Sequence, residues 1–363
     1  MVLKASLYDY DITRSVGTLL SGLCSNFDDV ALESINFEVA GNVSGPRFDA
    51  IARINVLGRP MELAVEVKSN GQPRTVRAGV LFLRNAISAS NMNAIPLFVA
   101  PFLSEQSREI CKFNKTSYLD LAGNSYLKLP NLLVDITTGI TPRPERRSLK
   151  SLFGTKASRM IRVMLKDPRH PWKVKDLASE AQISLGLASN VRRGLLSREW
   201  AQETRDGIVL AAPDLVLDAW NESYSPNLEQ ISLYTTLHGK SLENSIRQLF
   251  ADKSTKGKVM YGSFSAARWI APYGRAGTEF LYATPSLLGF IQETLNAVRV
   301  GEGGNVVVQL TSDSSVLEDV VEPVEGITCT SPIQTYLDLC RAGERGKEAA
   351  EFLRQRVLNW KSL

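Results

Sequence analysis

The chain has 363 residues, 44% of them hydrophobic and 22% charged, which is too long for one ordinary core and implies two or three globular domains. Cys24, Cys111, Cys329 and Cys340 stand far apart without a C-x-x-C pair, so neither a disulfide framework nor a zinc knuckle is indicated, and His170 and His238, the whole histidine complement, leave little material for histidine-based catalysis or a histidine-rich metal site. The net charge of +4 is uneven: residues 1–140 balance 13 Lys/Arg against 13 Asp/Glu, residues 141–212 carry 15 against 7, and residues 213–363 carry 14 against 18.

In chain order, residues 11–26 form a helix with Val16, Leu19, Leu20 and Leu23 on one side. Residues 30–39 fit strand or helix equally. Phe48, Ala50, Ala52, Ile54 and Val56 alternate as a strand, Gly58-Arg59-Pro60 turns, and residues 61–67 make a second, more buried strand. A helix over 75–89, a strand over 94–100, a helix over 104–113 and a short strand over 118–121 complete an α/β domain. The stretch 117–124, ending in Gly123-Asn124, is a structural strand and turn.

Chemistry enters at Asp49, Glu66 and Lys68. Side chains alternate along a strand, so Glu66 and Lys68 share a face, and a hairpin brings Asp49 beside them. Two carboxylates next to an ammonium can hold Mg²⁺ while the Lys orients a water or stabilises a pentavalent phosphate. Over residues 33–124 this arrangement resembles the PD-(D/E)xK nuclease core. The resemblance implies Asp49 and Glu66 as metal ligands and Lys68 as the catalytic lysine, with Glu33 or Glu38 as an added helix carboxylate. It departs from that pattern where Arg47-Phe48, not Pro, precedes Asp49.

Residues 141–150, with Pro142 and Pro144 two apart, are expected to be an extended basic linker in which Arg143, Arg146, Arg147 and Lys150 can track a phosphate backbone. Residues 151–212 then read as a winged helix-turn-helix. Residues 155–166 give a first helix closed by Asp167-Pro168. Val174, Leu177, Ala178 and Ala181 line a second helix. Ser184 caps a third, whose buried face is Ile183, Leu187, Val191 and Leu195. Leu185, Gly186, Ala188, Ser189, Asn190, Arg192 and Arg193 should point outward, small enough at the helix start for close approach to DNA. Residues 200–211, turning at Arg205-Asp206-Gly207, form the wing. The DNA-contacting set is therefore Lys173, Lys175, Ser184, Gly186, Ala188, Ser189, Asn190, Arg192, Arg193 and Arg205, inside the segment that carries the +8 balance.

Residues 213–363 read as an α+β domain without a phosphate loop. Helices are expected over 213–224, 242–250, 263–270, 333–339 (ended by Gly343) and 346–358, strands over 279–284 and 305–310, and a helix-to-strand turn at 301–304. The ordered set Gly262-Ser263-Phe264-Ser265-Ala266-Ala267, Gly304-Asn305-Val306, Ser331-Pro332-Ile333-Gln334-Thr335-Tyr336-Leu337-Asp338-Leu339 and Gly346-Lys347-Glu348-Ala349-Ala350 resembles the AbiEi family of type IV toxin-antitoxin regulators. With the winged helix, the resemblance spans residues 149–358. It implies a bacterial, cytoplasmic repressor of its own operon, acting on double-stranded DNA, needing no cofactor, and encoded beside a nucleotidyltransferase-like toxin. A two-fold operator would call for a homodimer. The alternative is a Mg²⁺-dependent endonuclease brought to DNA by the winged helix, and a third reading is a protein-interaction scaffold. No apolar run reaches membrane-spanning length and residues 1–11 lack a signal-peptide pattern.

Overall fold

The computed structural model describes residues 2–40, 45–130, 132–226, 228–274 and 277–360. It divides into two compact units, Met1–Ser148 with Arg193–Ala201, and Leu149–Arg192 with Gln202–Leu363. Helices and mixed sheets alternate in both, giving a mixed α/β protein. Among the described residues no helix is long and apolar enough to cross a membrane.

The first unit opens with helix α1 (Val2–Cys24), which buries Ile12, Val16, Leu20 and Leu23. An antiparallel meander follows, β1 (Val30–Ala40), β2 (Arg47–Val56) and β3 (Arg59–Val67). Helix α2 (Pro73–Ala89) then returns the chain to β4 (Ala94–Ala100), parallel to β3, and α3 (Glu105–Phe113) leads to β5 (Ser117–Asp120), parallel to β4. A hairpin of β6 (Ser125–Leu129) and β7 (Leu132–Ile136) finishes a seven-stranded sheet whose spatial order equals its chain order. Ala52, Ile54, Leu63 and Val65 pack with the α1 residues on one face, while Ala64 and Phe98 pack with Val76, Leu83 and Ile110 of α2 and α3 on the other. The central strands are therefore covered on both sides, as parallel pairing requires.

Several expectations are corrected here. Residues 30–39 are strand, so Glu33 and Glu38 stand on an edge strand and supply no helix carboxylate; Glu33 instead accepts a hydrogen bond from Asn55 Nδ2 at 3.0 Å. The turn after β2 is Leu57-Gly58, both with positive φ, and Arg59-Pro60 already belong to β3. The stretch 141–150 is not extended: α4 (Arg143–Leu152) is helical, because Pro144 falls in the first turn, where the missing N–H has no partner to lose. The expected structural role of 117–124 holds. Asp120 is buried and its carboxylate accepts from the backbone amides of Leu103, Ala122 and Asn124.

The second unit begins with α5 (Thr155–Lys166), α6 (Val174–Glu180), α7 (Leu185–Ser197, its end counted with the first unit) and the two-stranded sheet of β8 (Ala201–Glu203) and β9 (Ile208–Leu210). After α8 (Pro213–Ser223) the chain builds a mixed sheet from β10 (Glu229–Thr235), α9 (Gly239–Ala251), β11 (Val259–Tyr261), α10 (Ser263–Ile270), β12 (Glu279–Ala283), α11 (Leu288–Thr294), β13 (Ala297–Arg299) and β14 (Val306–Leu310). It ends with α12 (Ser314–Leu317), β15 (Val320–Val324), β16 (Ile327–Thr330), α13 (Pro332–Leu339) and α14 (Gly343–Val357). The strand order is β13-β10-β14-β12-β11-β16-β15, with β12–β14 and β11–β16 parallel. Gly343, expected to close α13, starts α14 at φ 74°, and residues 301–304 connect two strands, not a helix and a strand.

Candidate nucleic-acid interface and carboxylate pair

The turn between α6 and α7 is a Schellman motif. Gln182 takes the left-handed conformation at φ 51°, its N–H reaches Ser179 O at 3.1 Å, and the Ile183 N–H reaches Ala178 O at 2.9 Å. Ser184 then caps α7 as expected, its Oγ accepting from the Leu187 N–H at 3.3 Å. The buried face of α7 is Ala188, Val191 and Leu195, whereas Ile183 and Leu187 are only half-buried. Strict four-residue steps overrun a 3.6-residue turn by about 40° each, so a stripe drawn from 183 to 195 drifts off the true face. Ala188, expected outward, is thereby removed from the surface. Ser184, Leu185, Gly186, Asn190 and Arg193 are exposed, and Ser189 and Arg192 are half-exposed.

The turn between β8 and β9, expected as a wing, is set by one glycine. Gly207 has φ 153°, and a Cβ there would lie 2.4 Å from the Trp172 carbonyl oxygen. That close approach lets Trp172 and Ile208 exchange two backbone hydrogen bonds of 2.9 Å, while Thr204 Oγ1 donates to Gly207 O at 2.9 Å to close the turn. Lys173, Lys175 and Arg205 are exposed around this junction. Arg192 is committed to an ion pair with Glu203 of β8, a partner that the sequence reading did not assign. A groove of about 300 Å³ lies here, with Lys173, Arg192, Glu203 and Arg205 on its walls.

In the first unit, β2 and β3 pair Ala50 with Val65, so one further step of the ladder sets Asp49 against Glu66. Leu63, Val65 and Val67 face the α1 core, which puts Glu66 and Lys68 together on the opposite face. Lys68 forms an ion pair with Glu66, and Asp49 Oδ2 accepts from the Val67 N–H at 2.7 Å. Glu66 is only 6% exposed. Burial pushes its carboxyl up to about 7; the Lys68 ammonium opposes that rise, and the Asp49 charge adds to it. The three residues picked from sequence are thus gathered at one place. No cluster of three His, Cys, Asp or Glu side chains suited to a metal occurs among the described residues. Mg²⁺ nonetheless keeps several waters and is commonly bound through one or two carboxylates, so the Asp49–Glu66 donor set fits it.

A buried polar network in the second unit was missed. Arg162 of α5, 4% exposed, donates to Asp319 Oδ2 at 3.1 Å and Gln334 Oε1 at 2.5 Å. Gln334 Nε2 donates in turn to Tyr224 Oη and Asp338 Oδ1, both at 2.7 Å, and Tyr282 Oη donates to Asp338 Oδ1 at 2.9 Å. The available signal was Arg162 itself, which sits four residues after Ser158 and three before Leu165, on the apolar side of its helix.

No family of known proteins, no curated protein and no solved structure matches this chain.

Proposed function

We propose that this chain is a DNA-binding transcriptional regulator whose winged helix carries the contact with double-stranded DNA. The observation behind this reading is the exposure of Ser184, Gly186 and Asn190 at and after the start of α7, and of Lys173, Lys175 and Arg205 in the same unit. Small and amide side chains there suit close approach and base-edge hydrogen bonding, and the cations suit phosphates. The resemblance of residues 149–358 to AbiEi antitoxins supports autorepression as the role, with a nucleotidyltransferase-like toxin as the neighbouring product and two copies on a two-fold operator.

The test is an electrophoretic shift with genomic fragments. Asn190→Ala should weaken specific binding by about 1–3 kcal/mol, and Arg193→Ala should reduce the salt slope by about 1. A chain that retards no fragment even at low ionic strength would end this reading.

A second reading, a Mg²⁺-dependent endonuclease, is favoured by the convergence of Asp49, Glu66 and Lys68. Asp49 and Glu66 would hold the ion, which would supply Lewis-acid polarisation of a phosphate. Lys68 would stabilise developing negative charge. Plasmid incubated with Mg²⁺ or Mn²⁺ should be cut by the wild type only; cutting that survives Lys68→Ala rejects this site.

A further inference from the structure

Residues 143–148, the part of α4 that belongs to the first unit, have one docked side and one open side. On the docked side Glu145 accepts from Arg198 at 2.6 Å and from Gln72 Nε2 at 3.2 Å, and Ser148 Oγ accepts from the same guanidinium at 3.1 Å. At about 100° per residue, Arg143, Arg146 and Arg147 fall within an arc of about 100° on the far side of the helix from Glu145. All three are exposed. None of their guanidinium groups has a hydrogen bond or an ion pair among the described residues, whereas Arg198 has both.

Local electrostatics work against this arrangement. Arg143 repels Arg146 and Arg147 at i,i+3 and i,i+4 spacing. Arg143 and Arg146 also stand in the first turn, where the unpaired N–H groups of the helix already concentrate positive charge. Glu145 is the only acid of α4, and its carboxylate is drawn to Arg198 and Gln72 instead. Helix propensity does not call for arginine either, since Gln serves a helix almost as well. An external anion relieves the mutual repulsion and the opposition to the helix dipole together. Three cations over about 6 Å of helix rise approach the charge density of a nucleic-acid duplex, one phosphate per about 1.7 Å. Guanidinium forks also match phosphate oxygens in pairs. The apolar residues of the helix, Leu149 and Leu152, fall on the Glu145 side, so no apolar face is left to enter a membrane surface.

We propose that the arginine face of α4, made by Arg143, Arg146 and Arg147, is a contact surface of the first unit for the phosphate backbone of double-stranded DNA. It rests on the reading of the chain as DNA-binding and adds to it a second contact that uses no residue of α7. Phosphate contacts hold a duplex without reading its sequence, so this face contributes to affinity and salt dependence and not to the choice of operator.

The probe is a labelled duplex of arbitrary sequence, bound to the full chain and followed by fluorescence anisotropy across a salt series. The triple variant Arg143→Gln/Arg146→Gln/Arg147→Gln should flatten the slope of log affinity against log salt by about 2.7. Over a fourfold rise in salt, the wild type then loses about fortyfold more affinity than the variant. Equal slopes in the two proteins overturn the proposal, and the DNA-binding reading survives that result if Asn190→Ala still weakens specific binding. A flattened slope in the triple variant with no effect of Asn190→Ala supports the α4 surface and ends the α7 contact. A wild type that binds no duplex at any salt ends both. Phosphatidylserine vesicles that retain the wild type and release the triple variant, with equal DNA slopes, assign the face to a membrane and overturn the proposal. If the triple variant fails to fold, Arg146→Gln decides: a slope lower by about 0.9 supports the surface and an unchanged slope overturns it.

Discussion

Replacing Glu66 by Gln should alter how the stability of the first unit depends on pH. A carboxyl whose value rises from 4.5 unfolded to about 7 folded binds its proton more tightly in the native state. Its favourable contribution is therefore complete below 4.5 and is lost as pH climbs through about 7. The full loss is about 3 kcal/mol, and the part falling between pH 5 and pH 8 is about 2 to 3 kcal/mol. Native-state hydrogen exchange at the buried β3 amides, corrected for intrinsic rates, reads this unit without needing global two-state unfolding. Wild type should lose that amount relative to Glu66→Gln on going from pH 5 to pH 8. Parallel pH profiles for the two proteins would refute the reasoning, since Glu66 would then carry no buried charge. Mg²⁺ added at pH 8 provides an independent arm. A cation held by Asp49 and Glu66 should restore protection in wild type and not in the variant, and if it restores neither, the metal reading fails while the pH argument stands.

Four further outcomes follow from the second unit. Ser184→Ala removes the cap of α7 and should cost about 0.5–2 kcal/mol in thermal unfolding, whereas Ser184→Gly should cost only a few tenths. Gly207→Ala drives a Cβ to within 2.4 Å of the Trp172 carbonyl, so the Trp172 and Ile208 amides should lose exchange protection; retained protection would show that the β8–β9 hairpin relaxes elsewhere. Arg162→Met leaves Asp319, 6% exposed, with Lys166 as its remaining cation and should destabilise by about 3 kcal/mol, most of it recovered in the double variant Arg162→Met/Asp319→Leu, as measured by urea unfolding. Glu203→Gln frees Arg192 from its ion pair, so nonspecific DNA affinity at low salt should rise and the salt slope should steepen by up to about 1; no change in either would mean Arg192 does not face the polyanion.

Local chemistry was the part of this chain that a linear reading could reach. The cap at Ser184, the strands over 48–56 and 94–100, the helix 263–270 and the Ser331-Pro332 start of α13 all depend on residues within one or two turns of each other. Asp49, Glu66 and Lys68 were legible for the same reason, because a hairpin of known period brings them together. The errors arose where two local rules competed. Pro142 and Pro144 signal both an extended linker and a helix start, and Glu145 in the first turn, accepting from Arg198 at 2.6 Å, favours the helix. The short strands β6, β7, β11, β13 and β16, at three to five residues, hold too few alternations to stand out before their partners are known.

The network from Arg162 to Asp338 illustrates why the rest was out of reach. Its members lie on α5, α8's exit, β12, the segment before β15 and α13, separated by up to 176 positions, and no spacing rule links Arg162 with Gln334. What a sequence does reveal is the unpaid half of such a contact: a cation on an apolar helix face, or a Gln and an Asp four apart on a helix that is buried from Ile333 to Leu339. Each is costly alone, since a buried polar group without a partner loses its hydration and gains nothing. Their joint occurrence therefore forecasts a network without naming its pairs. Within this one every member is bonded to another, and the atoms outside its main chain of bonds are compensated as well. Asp319 Oδ1 still has the Lys166 ammonium 2.7 Å away, and Arg162 Nε belongs to a guanidinium already held at both terminal nitrogens. The Asp338 carboxylate, bonded through Oδ1 to Gln334 and Tyr282, is further favoured by the Ser263 amide and the Arg162 charge, so burial is offset by groups drawn from several elements at once.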